Sequence, residues 1–401
     1  MIAGMIDVDA CFRHLDLDAL RRRRGVKWSA HPPDVLPAWV ADMDFPVAPA
    51  IRDALMAALD RDDLGYPPDY GASGVAEAFA TWATRWGWTF DPALTHLMPD
   101  VVKAIEDAIE AFTRPGDAIV VNTAVYPPFL KSVARSGRVL AASALTAEHG
   151  IDLDDMARLF ATQRPTMVLL CNPHNPHGRV LRREELAGIA QLAIAHDAVI
   201  VSDEIHADLS YDGYVHVPIA TLGPEVAERT ITLTSASKAF NVAGLRCALA
   251  ITGTAEHHRL LAQASEVARD AVGTLGIEAA LAAWSPAGEA WLDACRDVLA
   301  ANRDTTARWA ADQPGIVHRP PEATYLAWLD CRALALEVDP AAWFLQHARV
   351  ALSSGSNFGP PGQGFARLNF ATSPAILEQI LTRLTDAIER EPQRPVAPSR
   401  Q

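Results

Sequence analysis

The 401-residue sequence is poor in cysteine and has no long run of apolar residues. Its five cysteines are scattered and form no Cys-x-x-Cys pair, which argues against a disulfide framework and against a structural zinc site. No stretch approaches the roughly 18 consecutive apolar residues of a membrane span. The first residues lack a basic segment ahead of an apolar block, so they do not resemble a secretory signal. These absences predict a cytoplasmic protein with no membrane partner.

Positive charge is also in short supply. The chain carries 35 Lys and Arg against 49 Asp and Glu, which gives a formal net charge of −14. A nucleic-acid-binding protein needs clustered cations to displace counterions from phosphates, so we expect no nucleic-acid partner. The basic run from Arg21 to Arg24 is consistent with a solvated helix end or with an anion-docking site.

Half of the residues are hydrophobic, which is enough to form a large core. Through the middle of the chain, short apolar runs alternate with segments of helical period. Strands are predicted at 118–121, 166–171, 198–202, 230–234 and 248–252, and helices at 101–112, 182–196 and 255–268. This alternation predicts an α/β fold with helices on both faces of a mostly parallel sheet.

The pattern changes near residue 286 to a long helix, a strand at 325–329 and two further helices. We therefore predict a three-layer large domain over residues 46–285 and a small α+β domain formed by residues 1–45 and 286–401. The first 45 residues are rich in Pro and Trp and show no strand–helix repeat. We expect them to pack on the small domain or across the functional site.

A single lysine lies among small hydroxyl residues in the segment TSASKAFNVAG, which follows the predicted strand 230–234. Lysine is rarely buried without a partner, and a desolvated lysine has a lowered pKa that suits Schiff-base chemistry. Lys238 is therefore a candidate catalytic residue. The alternative is a surface lysine in a loop.

An upstream strand, AVIVS, ends in Asp203, Glu204 and His206. Parallel sheets of α/β proteins bind ligands at the carboxyl ends of their strands. A carboxylate there can keep the pyridine nitrogen of a cofactor protonated. A structural ion pair or a helix cap would explain Asp203 equally well.

A third strand, TMVLLC, leads into the loop 172–178, in which Asn175 can hydrogen-bond a phenolic oxygen. Asn-Pro pairs also occur as ordinary turns. His174 and His177 lie in the same loop, but no carboxylate or cysteine stands at ligand spacing from them, so we predict no metal site.

These three segments resemble, in order and spacing, the fold-type I pyridoxal 5′-phosphate (PLP) enzymes of the class I/II aminotransferase superfamily. The resemblance implies the aspartate aminotransferase-like fold. It implies that Asn175 binds the phenolic oxygen of PLP, that Asp203 pairs with its ring nitrogen, and that Lys238 binds it covalently as a Schiff base.

Further strings resemble the cystathionine β-lyase, or carbon–sulfur lyase, branch of MalY and PatB type. They are VKW at 26–28, LPAWVADMDFP at 36–46, GYP at 65–67, VYPPF at 125–129 and SDEIHADL at 202–209, and the resemblance covers almost the whole chain. It implies β-elimination on S-substituted L-cysteines, which yields a thiol, pyruvate and ammonia. It also implies a homodimer with shared active sites.

The resemblance assigns three further residues to the cofactor. Tyr126 is implied to stack on the PLP ring, although a core tyrosine is the alternative. His206 is implied to lie beside the phenolic oxygen. Tyr66 is implied to reach the phosphate from the partner subunit.

The phosphate itself needs an anion site, and a helix N-terminus provides one. We expect the backbone N–H groups of Val101 and Val102 to bind it, together with Ser235, Ser237 and Arg246. Asp100, Lys103 and Leu181 depart from the pattern of the branch, which has a small neutral motif at the helix start and an aromatic residue after the Asn-Pro turn. Because a carboxylate near a phosphate is unfavourable, we expect Asp100 to cap the helix or to turn away.

Substrate-binding residues are expected at both ends of the chain. Arg367 lies in GFARLNF, which we predict to be an edge strand, and a buried arginine needs an anionic partner. The resemblance assigns Arg367 to the substrate α-carboxylate. Residues 353–359 are expected to form a mobile loop at the site mouth. Trp39 is a candidate for lining the side-chain pocket, with ordinary packing as the alternative.

Three other functions stay open at this point. An aminotransferase would use the same residues up to the loss of the Cα proton, and a decarboxylating or oxidatively deaminating enzyme would break another bond at Cα. A non-catalytic protein that binds PLP and regulates a protein partner by contact is the third.

Overall fold

The computed structural model describes residues 8–67, 70–146, 148–265 and 271–390. The C-terminal residues 391–401 of the predicted small domain, and residues 266–268 of a predicted helix, lie outside these ranges. The helices are α1 (Val8–Arg13), α2 (Leu17–Arg21), α3 (Val26–Ser29), α4 (Pro49–Asp60), α5 (Val75–Ala83), α6 (Val101–Phe112), α7 (Pro127–Arg135), α8 (Leu153–Gln163), α9 (Arg183–Ala195), α10 (Pro224–Glu228), α11 (Ala255–Ala264), α12 (Thr274–Ala283), α13 (Pro286–Asp312), α14 (Pro340–His347) and α15 (Pro374–Arg390). The strands are β1 (Leu36–Pro37), β2 (Thr95–Met98), β3 (Ala118–Thr123), β4 (Val139–Ala144), β5 (Met167–Cys171), β6 (Val199–Asp203), β7 (Thr230–Thr234), β8 (Ala248–Thr252), β9 (Val317–His318), β10 (Leu326–Asp330), β11 (Val350–Ala351), β12 (Ser353–Ser354) and β13 (Phe365–Asn369).

A seven-stranded sheet has the order β2–β8–β7–β6–β5–β3–β4. Strand β8 pairs antiparallel with β7 and β2, and the other neighbours in the sheet are parallel. The prediction of a mostly parallel sheet is thus confirmed. The sequence pattern does not predict β2 or β4. The first is four residues long with no apolar run, and the second is an edge strand of mostly small residues that alternate between buried and exposed.

Helices cover both faces of this sheet, so that the sheet and the two sets of helices form three layers. Helices α6, α7 and α11 pack on one face through side chains such as Ile105, Phe129 and Leu261. Helices α8, α9 and α10 pack on the other face, through side chains such as Leu159 and Ile189. Strands β5 and β6 are buried on both sides, which explains why their sequences are continuous apolar runs.

A second sheet, with the order β12–β13–β10–β9, is antiparallel. Strand β13 pairs with both β10 and β12, so the prediction of an edge strand at GFARLNF is wrong. The cause is β12, which consists of two serines that no apolar pattern marks. Residues 353–359, expected to be a loop, form this short strand and a 3-10 turn.

The N-terminal segment is fixed to both sheets. Strand β1 pairs in parallel with β11. Beyond it, Asn369 of β13 donates through Nδ2 to the carbonyls of Val40 and Asp42, both at 2.7 Å. Asn241, in the loop after β7, bonds both the N–H and the carbonyl of Met43. Residues 39–44, here called the strap, therefore lie beside that loop. The domain boundaries at residues 46 and 285 stay a prediction.

A buried ion pair fixes the strap from its other side. Lys27 Nζ lies 2.9 Å from Asp44 Oδ1, with side-chain exposures of 6% and 2%. Trp28 Nε1 donates to the same oxygen at 2.7 Å, and Lys27 Nζ also donates to the Asp42 carbonyl at 2.9 Å. A buried carboxylate keeps its charge only with such partners.

Replacing Lys27 tests this anchor. Lys27→Met leaves the Asp44 carboxylate buried without its cation, and we expect the free energy of unfolding to fall by about 3 kcal/mol. Urea denaturation of the two proteins measures the difference. The matched control is Arg259→Met, which removes the cation of an exposed pair with Glu256 (2.7 Å) and should leave the unfolding midpoint unchanged. Equal effects of the two substitutions would contradict the account.

Candidate active site

The carboxyl ends of three neighbouring parallel strands carry the predicted cofactor residues. Cys171, the last residue of β5, pairs with Asp203 at the end of β6, and Asp203 pairs with Leu233 of β7. Asn175 follows β5 by four residues, and Lys238 follows β7 by the same number. The sheet therefore brings Asn175, Asp203 and Lys238 to one edge, where α/β proteins bind ligands.

Lys238 is half-buried and points toward the strap. Its Nζ donates a hydrogen bond to the Ala41 carbonyl at 2.9 Å. Burial lowers the pKa of Lys238, and Arg367 lowers it further, while the Asp42 and Asp203 carboxylates oppose the shift. The surface-lysine alternative therefore does not fit. A lowered pKa increases the fraction of neutral amine, which is the form that attacks a carbonyl carbon.

Asp203 is a buried carboxyl group with no ion pair to another described residue. Its Oδ1 accepts from the Ile205 N–H at 3.1 Å. Burial raises the pKa of Asp203 to about 7, against the Ile205 hydrogen bond, and the neighbouring Glu204 adds to the shift. The ion-pair alternative thus finds no partner in the described structure. A cation placed beside Asp203 would restore its charge.

Arg367 is a buried cation whose partners are all neutral. It is 5% exposed, and it donates to Asn175 Oδ1 (3.0 Å), the Trp39 carbonyl (3.0 Å) and Ser353 Oγ (3.3 Å). Its Nε is buried with no partner within the described ranges. Burial lowers the pKa of Arg367 to about 10. A desolvated guanidinium of this kind is suited to bind an anion, and its planar fork matches a carboxylate.

Tyr126 and His206 lie near the same groups. Tyr126 precedes α7, its N–H donates to the Asn175 carbonyl at 3.0 Å, and burial raises the pKa of its hydroxyl. His206 is buried, and its Nδ1 has no hydrogen-bond partner in the part of the chain described. Burial, aided by Lys238 and Arg367, lowers the pKa of His206 to about 3, so the imidazole is neutral.

The N-terminus of α6 is arranged as an anion site. Val101 and Val102 are the first two residues of the helix, so their N–H groups have no acceptor within it. Asp100 caps the helix by accepting from the Lys103 N–H at 2.8 Å, as expected. Arg246, 57% exposed, pairs with Asp100 at 2.6 Å, which places its guanidinium at the helix start and offsets the charge of Asp100.

Two serines predicted for the phosphate lie next to the residue that follows Arg246. Ser235 Oγ donates to the Cys247 carbonyl at 2.6 Å and lies 2.7 Å from Ser237 Oγ. Tyr66 is not part of the anion site, because its side chain is 100% exposed on the surface of the chain. Trp39 is half-buried, donates to the Lys27 carbonyl at 3.3 Å and makes an edge contact with a histidine ring.

The structure adds two groups that sequence reasoning missed. The Ala41 carbonyl accepts from Lys238 Nζ and also from the hydroxyl of Tyr325, each at 2.9 Å. Tyr325 is fully buried just before β10. A tyrosine next to an apolar strand is a weak sequence signal for such a role, and a backbone carbonyl gives no sequence signal at all.

Neither a metal site nor a membrane span is found in the described parts of the chain. No group of three or more His, Cys, Asp or Glu side chains there could hold a metal ion. None of the described helices is long and apolar enough to cross a membrane.

Comparisons with known proteins agree on one family. The profile described as "Aminotransferase class I and II" matches residues 40–384. A protein of Mycobacterium tuberculosis named "Putative cystathionine beta-lyase" is 41% identical over 93% of this chain and 97% of its own length. The "Cystathionine beta-lyase" of Corynebacterium glutamicum is 37% identical over 94% of this chain and all of its own. The crystal structure of a putative PLP-dependent beta-cystathionase from Corynebacterium diphtheriae superposes with a TM-score of 0.90 at 36% identity, covering 95% of this chain and 100% of that one.

The buried carboxyl of Asp203 predicts an inverse dependence of stability on pH in protein freed of PLP. The carboxyl pKa is about 7 in the folded protein and about 4 in an unfolded chain. The folded state therefore binds the proton more tightly. The contribution of this group is complete below about pH 4 and is lost as the pH rises through about 7.

Asp203→Asn should consequently stabilise PLP-free protein at about pH 8, by up to about 4 kcal/mol, and change little at about pH 4. Urea unfolding at both pH values measures this. Asp212→Asn, at a fully exposed carboxylate, is the control and should alter neither value. If Asp203→Asn changed the free energy of unfolding equally at the two pH values, the raised pKa of the Asp203 carboxyl would be refuted.

Proposed function

The chain belongs to the class I and II aminotransferase family, and on that premise we propose that it is a PLP-dependent carbon–sulfur lyase acting on S-substituted L-cysteines. The reaction is a β-elimination: with one water, the substrate gives a thiol, pyruvate and ammonium. The proposal rests on one observation. Half-buried Lys238 lies close enough to buried Arg367 to feel its charge, and Arg367 has no anionic partner among the described residues. Relatives named cystathionine beta-lyase, which match over nearly their whole length, support the choice of reaction.

The residues fit PLP on observations of this structure. Among the described residues Asp203 has no ion-pair partner and the buried Nδ1 of His206 has no hydrogen-bond partner, and the start of α6 presents N–H groups beside Arg246. The ring would be held by Lys238, Asp203, Asn175, His206 and Tyr126, and the phosphate by Val101, Val102, Ser235, Ser237 and Arg246. When bound, PLP supplies an electron sink that accepts the negative charge developing at the substrate Cα.

Arg367 and the strap orient the substrate. The guanidinium binds the α-carboxylate through two N–H groups and thereby fixes the position of Cα. Its own position is fixed by Asn175, Ser353 and the Trp39 carbonyl. We expect the Trp39 ring to line the pocket for the sulfur substituent.

Lys238 moves the proton. Its Nζ would act as the general base for the substrate Cα proton, because a lowered pKa raises the fraction of neutral amine. The resulting ammonium can give the proton to the departing sulfur. The Ala41 carbonyl, itself bonded to Tyr325, holds Nζ in place between these two transfers.

A product assay separates this reaction from its alternatives. PLP-loaded protein given S-methyl-L-cysteine should release thiol and pyruvate in equal amounts and no carbon dioxide. An aminotransferase would instead form a 2-oxo acid that retains the sulfur, and a decarboxylase would release carbon dioxide. A contact regulator would bind PLP and turn over nothing.

Lys238→Ala should abolish thiol release, because the chain then lacks the group that moves the Cα proton. The control is Lys131→Ala, at an exposed lysine of α7, which should retain the wild-type rate. Both rates are measured by a colorimetric thiol assay. Wild-type protein that releases no thiol from any S-substituted cysteine would contradict the lyase function.

We further propose a homodimer with shared active sites. Tyr66 is fully exposed, and three exposed apolar side chains, Met56, Leu59 and Leu64, lie on α4 and in the segment between α4 and Tyr66. Exposed apolar side chains grouped in this way are typical of an interaction surface. A dimer that buries them would bring Tyr66 of one subunit to the phosphate site of the other.

Complementation tests the shared site. Two differently tagged chains, one with Tyr66→Ala and one with Lys238→Ala, are co-expressed and the mixed dimer is purified through both tags. One intact site forms per dimer, so we expect about half of the wild-type rate. The control places both substitutions on one chain beside a wild-type chain, and it should be inactive. The reverse result would show that Tyr66 serves its own subunit.

We assign the protein to a reducing compartment, the cytoplasm. All five cysteines are free, and four of them are buried. Unpaired cysteines of this kind are typical of reducing surroundings.

A further inference from the structure

Behind Asp203 lies a second buried carboxylate that the reaction does not use. Glu204 accepts from Ser202 Oγ (2.9 Å) and the Ile219 N–H (3.3 Å) through Oε1, and from His216 Nε2 (2.9 Å) through Oε2. Glu204 and His216 are both buried. Since an isolated buried carboxylate is costly, the hydrogen bond to His216 gives Glu204 its only potential counter-charge within ion-pair distance among the described residues.

The pair is coupled to Asp203 by position. Glu204 is the next residue in the chain, and its negative charge adds to the raised pKa of the Asp203 carboxyl. His216 is hydrogen-bonded to Glu204. The pair is neutral when His216 is protonated, and it carries one negative charge when His216 is not. The proton on His216 therefore decides whether Asp203 faces a net charge.

The His216 side chain has no exposure to solvent, although it adjoins an opening at the surface. It lines a surface cavity of about 240 Å³, and its Nδ1 has no partner in the described structure. Among the other charged groups of the cavity, the Asp208 carboxylate also faces His216. Arg85 lies 3.9 Å from Asp208, and Arg296 lies 3.6 Å from Asp212. Lys238 is the charged group that faces Asp203 from the active-site side.

We propose that His216 is a positioning residue, which acts through Glu204 to set how firmly Asp203 holds its proton. Protonation of His216 neutralises the charge of Glu204 and favours the ionised Asp203 that a protonated ring nitrogen needs. Loss of that proton disfavours it. The inference rests on the proposed function only in naming Asp203 as the partner of the PLP nitrogen.

The test is the titration of Asp203 in full-length protein freed of PLP. Protein labelled with ¹³C at aspartate carboxyl groups is followed by NMR, and Asp203→Asn assigns the signal. Glu204→Gln should lower the pKa of Asp203 by about one unit, and His216→Gln should raise it by about one unit. The double variant should return it close to the wild-type value. A purely structural role cannot produce opposite shifts that cancel.

Asp212→Asn, a carboxylate of the same cavity that is open to water, is the control and should leave the signal of Asp203 in place. Shifts of the same sign from Glu204→Gln and His216→Gln, or no shift from His216→Gln, would overturn the proposal.

If a variant does not fold, the wild-type protein still tests the coupling between His216 and Asp203. Its Asp203 titration should show a second inflection at the pH where ¹⁵N-labelled His216 titrates. A single inflection there would overturn the proposal. Because these signals are read without PLP or substrate, a failure of thiol release leaves them unaffected, and the two proposals can fail separately.

Discussion

The structure depends on burying Asp203 and Arg367, and half-burying Lys238, with no ion pair from any of them to another described residue. Burial shifts the pKa of Lys238 and Arg367 down and that of Asp203 up, and in each case burial is the largest cause. Each shift is a cost that folding must offset. A bound PLP and an amino acid would remove much of it, since a ring N–H⁺ suits Asp203, an α-carboxylate suits Arg367 and a Schiff base uses the neutral amine of Lys238. Unfavourable pKa shifts of this kind are what we expect of a site that binds such ligands.

The strap holds these charges in place by its backbone. The Trp39 carbonyl accepts from Arg367 and Ser353, the Ala41 carbonyl accepts from Lys238 and Tyr325, and the Asp42 carbonyl accepts from Lys27 and Asn369. Groups from both sheets and from the N-terminal segment meet at this one short stretch. It explains why the LPAWVADMDFP string, which contains no obvious catalytic residue, belongs with the site.

The sequence was sufficient to predict the α/β fold and the residues that directly follow buried strands. Asn175, Asp203 and Lys238 were predicted because each lies at or shortly after the end of a buried strand and each side chain has a chemistry of its own. The Ala41 carbonyl and the Glu204–His216 pair could not be predicted. A backbone oxygen leaves no pattern in the sequence, and a contact between residues twelve positions apart follows neither the helical nor the strand repeat. The position of β13 inside its sheet was missed for a similar reason, since the two serines of β12 resemble a loop.

The most direct test of the account is to find the lysine that binds PLP. Purified protein is incubated with PLP, reduced with borohydride and digested, and the modified peptide is identified by mass spectrometry. We expect one PLP per chain, attached to Lys238, the lysine whose pKa burial lowers. Attachment to another lysine, or no stoichiometric attachment, would contradict the central claim that the buried charges at the strand ends form a PLP site.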